Sequence, residues 1–377
     1  MPEPRLTVGI EEEYLLVERT SRDLAAAPPD SMLDECEALL EGRVSPEFLR
    51  AQIEVGTHPA ATVAEARADL AHLRSTVARV SEAHGLAPIA ASTHPFARWQ
   101  DQQHVHKERY DALARDLQAV ARRLVICGMH IHVEVGDDDL RIDLMNQMSY
   151  FLPHLLALTT SSPFWAGEDT GLASYRLAVF DALPRTGLPE RYESFGEYQR
   201  VVAQLVQGGL MEDATKLWWD LRPSARYPTL EMRIGDVCTR LDDAAAVAAL
   251  TQCIISMLYR LRCNNQRWRV YPRILVHENR WRAQRYGVGD SLVDFGKGEL
   301  VPYPALLEEL IALVREDAER LGCVAEVEHT RKIAARGTSA DRQRRAFETA
   351  KAAGADDHEA LEAVVDFLIE ETVLGLD

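Results

Sequence analysis

The chain has 377 residues, of which 47% are hydrophobic and 27% charged, a balance typical of a large folded protein and not of a disordered one. Its 42 Lys and Arg residues against 59 Asp and Glu give a formal net charge of −17, which argues against nucleic acid or an acidic membrane surface as a partner. Without a CxxC pair, a leader-like start or a run of about 18 apolar residues, we expect reduced thiols in a cytoplasmic protein.

The first part of the chain shows strand patterns separated by helices. Strands are predicted at residues 6–17, 51–56, 88–92 and 125–135. Thr62 and Glu65 form a capping box before an amphipathic helix, and Gly85 stands where that helix should end. A further helix is predicted over 108–123.

Helical patterns dominate the second part of the chain. An apolar helix over 144–160 contains Pro153, which should kink it. The segment 218–236 has the pattern of a strand, a turn and a second strand. Further helices are predicted at 195–207, from about 242, and over most of the chain from about 304. The sequence has no GxGxxG or GxxxxGK[ST] turn and therefore gives no support for a loop that cradles phosphates.

The predicted strands separate their polar side chains from their apolar ones, because successive residues of a strand point to opposite faces. Glu12 is an exception, since its position falls on the apolar side. Four strands carry carboxylate, imidazole or guanidinium groups on the other face, at Glu11, Glu13, Glu54, His130, His132, Glu134, Glu231 and Arg233.

A solvated face of an antiparallel sheet shows the same alternation, and for any one strand this is the simpler explanation. Taken together, the residue types favour a cation-binding face, because Glu, His and Arg bind metals and phosphates. Adjacent carboxylates also repel one another unless a cation lies between them. Oxygen-rich donors favour Mg²⁺ or Mn²⁺, and Mg²⁺ usually completes its shell with phosphates, which indicates a nucleotide. Arg233 would then stabilise charge on a transferring phosphoryl group.

Ordered motifs extend along most of the chain. They are GIEEEYLLVE at 9–18, QIEVGTHP at 52–59, STHPFARWQ at 92–100, ERYDAL at 108–113, GMHIHVEV at 128–135, SSPFWAGEDTGLASYR at 161–176, WWDLRPSARYPTLEMRIGD at 218–236 and NRWRAQRYG at 279–287. With these motifs the sequence resembles the bacterial carboxylate-amine ligases, a type-two glutamate-cysteine ligase-like family of the glutamine synthetase superfamily.

The resemblance implies an α+β fold in which a curved, mainly antiparallel sheet forms an active-site funnel and helices pack on its outer face. It implies a single ligase catalytic domain over residues 1–377, with a mainly helical C-terminal portion from about 304. ATP would phosphorylate a substrate carboxylate, and an amine would attack the acyl phosphate to give an amide. Glutamate and cysteine are the candidate small-molecule substrates. An acyl phosphate needs protection from water, and the loop at 167–171 is the candidate lid.

The resemblance also assigns roles to individual residues. Glu13 and Glu54 resemble ligands of a metal on the amine side, whereas Glu11, His130 and Glu231 resemble ligands of a metal bound with the ATP phosphates. The other implied roles are phosphate contacts by His132 and Arg233, binding of the acid or phosphoryl group by Arg176 and Arg222, and a nucleotide contact by Arg342. The stretch around Arg342 equally fits a solvated helix start.

Two other functions stay open on the sequence alone. A metal-dependent amidase or hydrolase could use the same cation-binding face without ATP and would cleave amides with metal alone. A regulator without catalytic activity would bind metal or nucleotide and show no turnover, which the complete set of candidate catalytic residues argues against. A homodimer is expected only from the general frequency of twofold symmetric oligomers.

Overall fold

The computed structural model describes residues 3–105, 115 and 117–376, so the ERYDAL motif and most of the helix predicted at 108–123 lie outside the described residues. The described strands are β1 (Val8–Glu18), β2 (Val44–Pro46), β3 (Gln52–Gly56), β4 (Leu86–Ile89), β5 (Met129–Glu134), β6 (Phe164–Trp165), β7 (Glu168–Asp169), β8 (Thr186–Gly187), β9 (Trp218–Trp219), β10 (Leu221–Pro223), β11 (Thr229–Met232), β12 (Ser291–Asp294) and β13 (Glu299–Pro302).

The described helices follow the same chain order. They are α1 (Asp30–Leu40), α2 (Val63–Ala83), α3 (Ala119–Arg122), α4 (Asp138–Met148), α5 (Leu152–Thr159), α6 (Tyr175–Phe180), α7 (Phe195–Gln207), α8 (Leu241–Cys263), α9 (Arg273–Tyr286), α10 (Tyr303–Leu321), α11 (Val324–Arg336), α12 (Ser339–Ala352) and α13 (Asp357–Thr372). Short 3₁₀ turns occur at Trp99–Asp101, Ser149–Phe151 and Ala214–Lys216.

A curved antiparallel sheet of seven strands organises the molecule. Its strand order is β10–β11–β5–β1–β3–β2, and β4 pairs with the C-terminal end of β1. The 11-residue strand β1 pairs with β3, β4 and β5, so the GIEEEYLLVE motif crosses the middle of the sheet. Helices α2 and α8 pack against these strands and against each other. The predicted α+β architecture, with helices outside a curved antiparallel sheet, is confirmed.

Helix α8 forms the centre of the core. By length and composition it could span a membrane, but 83% of its most apolar stretch is buried within the protein. A core helix of a folded protein has this character, because neighbouring elements cover it on every side.

The buried helical side of the sheet explains why Glu12 departs from the alternation. Glu12 is fully buried, and its carboxylate accepts hydrogen bonds of 2.7 and 2.8 Å from Arg74 of α2. Arg74 also donates to the backbone carbonyls of Cys238 and Thr239, and the hydroxyl of Tyr14 donates to Glu12. The charge on the apolar face is therefore neutralised by one buried ion pair.

The helix predicted over 144–160 is replaced by two helices. Helix α4 begins earlier, at Asp138, where the side chain of Asp137 accepts a hydrogen bond from the N–H of Leu140. A 3₁₀ turn separates α4 from α5, and Pro153 lies in the first turn of α5. Proline is tolerated there because the first N–H groups of a helix have no partner within it. The expected kink is thus a new helix start.

Candidate active site

The face of the sheet opposite α2 and α8 brings the predicted polar residues together. Residues paired directly across antiparallel strands share one face, so strand register decides which of them meet. The opposed pairs are Glu11 with His130 and Gly56, Glu13 with Glu54, His132 with Gly9 and Glu231, and Glu231 with Arg222. The structure thus assembles polar side chains from five strands into one continuous patch.

Two groups of three residues within this patch could each hold a metal ion. One consists of Glu11, His132 and Glu231, the other of Glu11, Glu54 and His130, and in each group the ligand atoms lie within 4.8 Å of one another. Nδ1 of His130 is 3.2 Å from Glu11 Oε2, and Nε2 of His132 is 3.4 Å from Glu11 Oε1. Glu11 belongs to both groups and is therefore the centre of the candidate site.

These groups differ from the ligand sets that the resemblance implies. Glu13 belongs to neither group, and its Oε2 accepts a hydrogen bond of 2.7 Å from the N–H of Gly128. Its Oε1 lies 3.9 Å from Nε2 of His130. His132, expected to contact phosphate, instead stands among the possible ligands. Glu13 faces Glu54 across the sheet, so its assignment as a ligand stays a prediction.

The electrostatics of the patch fit a cation. Burial, followed by the nearby charges of Glu47, Glu11 and Glu13, raises the pKa of Glu54. Within the described part of the chain, the buried Nε2 of His132 has no hydrogen-bond partner. Crowded carboxylates and an unpaired imidazole nitrogen are both satisfied by a divalent ion. These side chains are therefore suited to hold Mg²⁺ or Mn²⁺.

The histidines of the patch keep Glu11 ionised. Burial alone would raise the pKa of Glu11, but the imidazoles of His130 and His132 next to its carboxylate lower it. Burial lowers the pKa of His130, and the guanidinium of Arg233 lowers it further. Burial would also lower the pKa of His132, but Glu11 and then Glu231 reverse this and raise it. An ionised Glu11 is the form that a metal ligand requires.

Arg222 is committed to holding other groups. Its Nε and Nη2 donate hydrogen bonds of 2.9 and 3.0 Å to the carboxylate of Glu231, and its Nη1 donates to the carbonyls of Thr215 and Leu217. Arg233 also donates to Glu231. Burial alone would raise the pKa of Glu231, but Arg233 and Arg222 lower it. This bonding favours a positioning role for Arg222 over the direct substrate contact that the resemblance implies.

Arg176 lies beside the patch at the start of α6. It is 3% exposed, and its guanidinium donates to the backbone carbonyls of Ile234 and Arg233 at 3.3 and 3.2 Å. Both bonds go to neutral acceptors, so the positive charge of Arg176 can still act on a bound anion. The structure therefore brings Arg176 and Arg233 together, and their roles toward a bound anion stay predictions.

Asp236 is a supporting residue to which the sequence patterns assign no role. It is fully buried, and it accepts hydrogen bonds of 2.7–2.8 Å from the N–H of Ser161 and the hydroxyls of Ser162 and Ser174. These bonds tie the loop before Arg176 to the end of the LEMRIGD segment. The available signal was an acidic residue directly after a glycine, four residues beyond the end of β11.

Arg342 does not contribute to the patch. It lines neither cavity next to the candidate ligands, and its Nη2 lies 2.6 Å from Glu371 on α13. Arg342 lies in the first turn of α12, but its side chain is paired and only 12% exposed, so it is not a solvated helix start, and its placement gives no support to a nucleotide contact. The loop at 167–171, the candidate lid, is bonded to α12, because Asp169 accepts two hydrogen bonds of 2.8 Å from Arg344.

Two cavities flank the candidate metal groups. The larger, of 670 Å³, lies toward the N-terminal end of β1 and exposes Glu11, Glu54 and His132. The smaller, of 120 Å³, lies toward the other end of the patch and is lined by Glu13, Glu47, Gln52, His130, Arg176, Lys216, Trp218 and Arg233, together with apolar residues. An ion held at Glu11 would therefore stand between two separate binding spaces.

Comparison with known families identifies the chain. A family model described as glutamate-cysteine ligase family 2 matches residues 7–366. The chain belongs to this family. A Rhodospirillum rubrum protein with the provisional name glutamate–cysteine ligase 2 is 63% identical over 383 residues, covering 100% of this chain and 98% of that protein. A Jannaschia protein with the same provisional name is 58% identical over 365 residues, covering 97% and 96%.

Solved structures confirm the fold of this ligase. The glutamate–cysteine ligase of Francisella tularensis, in complex with AMP, has a TM-score of 0.69 at 13% identity, covering 99% of this chain and 90% of that one. A bifunctional glutathione synthetase from Pasteurella multocida also has a TM-score of 0.69, at 15% identity, covering 97% and 52%. Family membership confirms the predicted resemblance and shows that the chain is a ligase enzyme.

Proposed function

We propose that this ligase joins a carboxylic acid to an amine at the expense of ATP, through an acyl phosphate, with glutamate and cysteine as its substrates. The position of the candidate metal groups between a large and a small cavity carries the proposal. The names of the relatives support the two amino acids, and the AMP bound to the Francisella tularensis ligase supports a nucleotide.

The larger cavity suits the nucleotide. Its 670 Å³ can take a molecule of that size, and it is lined by Glu11, Glu54 and His132, three of the five residues in the candidate metal groups. Bound Mg²⁺ or Mn²⁺ would neutralise charge on the phosphates and orient them for in-line transfer. Nε2 of His132 lies in this patch and would either bind the ion or, when protonated, donate a hydrogen bond to a phosphate oxygen.

The smaller cavity suits the acid. The acid's carboxylate oxygen would attack the terminal phosphorus of ATP, ADP would leave, and the amine would then attack the acyl carbon and release phosphate. Arg233 and Arg176 line this cavity, and their positive charges would reduce the repulsion between the two reacting anions. A cavity of only 120 Å³ also leaves little room for the water that would hydrolyse the intermediate.

The metal-dependent amidase is not favoured, because the family and its relatives are ligases by name. We also infer that residues 1–377 act as one catalytic domain whose C-terminal portion is the helical segment from α10 onward. Cytoplasmic location and a homodimer stay predictions.

The test is an assay of the purified chain with ATP, Mg²⁺, glutamate and cysteine, following release of ADP and phosphate. An acyl phosphate transfers an oxygen atom from the acid to phosphate, so ¹⁸O placed in the carboxylate should appear in the phosphate. ADP release without ¹⁸O transfer would contradict the intermediate. Cleavage of amides with metal alone, and no use of ATP, would support the hydrolase instead.

A further inference from the structure

We propose that Lys216 is a specificity-determining residue, which binds the second carboxylate of a dicarboxylic acid while the first carboxylate reacts. The inference rests on the proposed function, since it takes the smaller cavity as the acid site. Lys216 ends the 3₁₀ turn Ala214–Lys216 and lines this cavity together with Trp218. Lys216 is not among the residues that the sequence predicts for the site.

Three cations and the two carboxylates of Glu13 and Glu47 line the cavity, so its wall keeps a net positive charge. Arg176, Lys216 and Arg233 come from three separate elements and line the same 120 Å³. Of the described residues, no carboxylate lies within ion-pair distance of Arg176, and the buried Nε of Arg233 has no hydrogen-bond partner. Cations this close repel one another unless enough anions lie between them, and Glu13 and Glu47 offset only part of the three positive charges. A dicarboxylic acid, whose second carboxylate pairs with Lys216, offsets the remainder.

The three cations differ in their position relative to the candidate metal groups. Arg233 is 3.4 Å from Nδ1 of His130, and Arg176 lies against the backbone of Gly128, so both are next to the candidate metal groups. In the described chain, the carboxylate in contact with Lys216 is Glu212, at 3.3 Å. Lys216 is therefore placed to bind the end of the acid that is remote from the reacting carboxyl.

The turn that carries Lys216 is fixed to the candidate site. Nη1 of Arg222 donates to the carbonyls of Thr215 and Leu217, the residues on either side of Lys216. The same guanidinium holds Glu231 through two further hydrogen bonds. Arg222 thereby sets the distance between a possible metal ligand and Lys216, which is the distance that selects the length of a dicarboxylic acid.

The burial of Lys216 also points to a ligand. Its side chain is 12% exposed, whereas that of Glu212 is 70% exposed on the outer surface. The strongly hydrated ammonium group of a shielded lysine needs close partners, and Glu212 supplies one of them from the outer surface, so a substrate carboxylate would be a second partner on the cavity side. Phe180, Leu183 and Trp218 line the same cavity and would cover the aliphatic part of the acid.

The experiment compares acids that differ only in the second carboxylate, using the full chain. L-glutamate and 4-aminobutanoate form such a pair, because the latter lacks only the α-carboxylate. Their dissociation constants would be measured by calorimetry, and their kcat/KM in ATP-dependent ligation to cysteine would be measured in parallel. Lys216→Met should weaken glutamate binding roughly 10- to 100-fold, the usual effect of losing a charge-assisted hydrogen bond, and leave 4-aminobutanoate unchanged.

Control variants separate this role from general damage. Lys216→Arg should keep part of the preference for glutamate, and Glu212→Gln, which removes only the outer partner, should keep all of it. Equal weakening of both acids in Lys216→Met, or an unchanged preference, would overturn the proposal. A wild-type chain that binds none of aspartate, glutamate or 2-aminoadipate better than the matching monocarboxylate would also overturn it. Lys216-dependent glutamate binding without turnover would support Lys216 and contradict the proposed ligation.

Discussion

The backbone of Gly128 passes so close to the guanidinium of Arg176 that a Cβ atom at position 128 would lie 2.5 Å from Nη2. Gly128 also forms two hydrogen bonds with Glu13. The N–H of Glu13 donates to the Gly128 carbonyl, and the carboxylate of Glu13 accepts from the Gly128 N–H. A single residue without a side chain therefore holds a candidate ligand on one side and admits Arg176 on the other.

We expect Gly128→Ala to displace Arg176 and to lower kcat/KM for the acid by about 10²-fold, the scale of losing one well-placed electrostatic contact. The free energy of unfolding should fall by less than the activation free energy rises, because a guanidinium at a cavity wall can move away from the new methyl group. Steady-state ligation and urea unfolding of the same preparation measure the two effects.

Gly136→Ala is the matched control, since a Cβ at that position would meet nothing within 4 Å. It should leave activity and stability unchanged. Full activity of Gly128→Ala would show that the position of Arg176 is unimportant for the reaction.

Glu11→Gln should weaken metal binding more than any other single substitution in the patch. Glu11 is the residue common to both candidate metal groups, whereas Glu54 and Glu231 each belong to one. Removing its charge should lower Mn²⁺ affinity by roughly 10–100-fold, measured by calorimetry. Glu18→Gln, at the exposed end of the same strand, is the control. Equal effects of Glu11→Gln and Glu54→Gln would contradict a shared ligand.

Strand parity predicted most of this patch because it depends only on neighbouring residues. Glu11, His130 and Glu231 were assigned to one face by alternation alone, and pairing of β1, β5 and β11 places them there. Parity could not predict which residues share an ion, because that depends on register between strands far apart in the sequence. Glu11 and His130 are in hydrogen-bond contact although they are 119 residues apart in the sequence.

Other features had no local signal. Helix α1 lies in a stretch for which the pattern predicts no element, and Lys216 lies in a 3₁₀ turn that is too short to show a period. The capping box of Thr62 and Glu65, by contrast, involves residues three positions apart and is confirmed, as is Gly85 at the end of that helix with φ +74°. Interactions between residues a few positions apart can therefore be predicted from the sequence, whereas the position of a short turn relative to distant segments cannot.

Arg74→Met should destabilise the fold strongly. Arg74 and Glu12 are 1% and 0% exposed, so the substitution leaves a buried carboxylate without its partner. Such a loss costs about 3–5 kcal/mol of unfolding free energy, measurable by urea denaturation. The control Arg315→Met removes exposed pairs with Glu319 and Glu328 and should cost under about 1 kcal/mol. A second substitution, Glu12→Gln, should recover part of the loss, and no recovery would contradict the pairing as its cause.

Asp243 makes stability depend on pH. Burial alone would raise the pKa of Asp243, but the hydrogen bond with His329 and the charge of Arg336 lower it. Because the folded-state pKa is depressed, the stabilisation is complete above the ordinary Asp value of about 3.9 and is lost as pH falls through the lower folded value.

Asp243→Asn should therefore lower the unfolding free energy by roughly 1–3 kcal/mol at neutral pH, and the difference from wild type should shrink below about pH 4. The adjacent Asp242→Asn is the control, because Asp242 is 54% exposed in its pair with Arg67. A difference that stays constant across this pH range would exclude the ionised carboxylate as its source.

Arg342→Met should separate a structural role from a nucleotide contact. Arg342 and Glu371 are 12% and 13% exposed, and the Arg342 guanidinium lies 5.0 Å from the ring centre of Phe367. Losing this buried pair should lower the unfolding free energy by roughly 1.5–3 kcal/mol and leave the KM for ATP unchanged. Arg345→Met, on the exposed side of the same helix, is the control for removal of charge alone. A raised KM for ATP with unaltered stability would restore the nucleotide contact implied by the resemblance, because a residue that binds ligand need not hold the empty fold together.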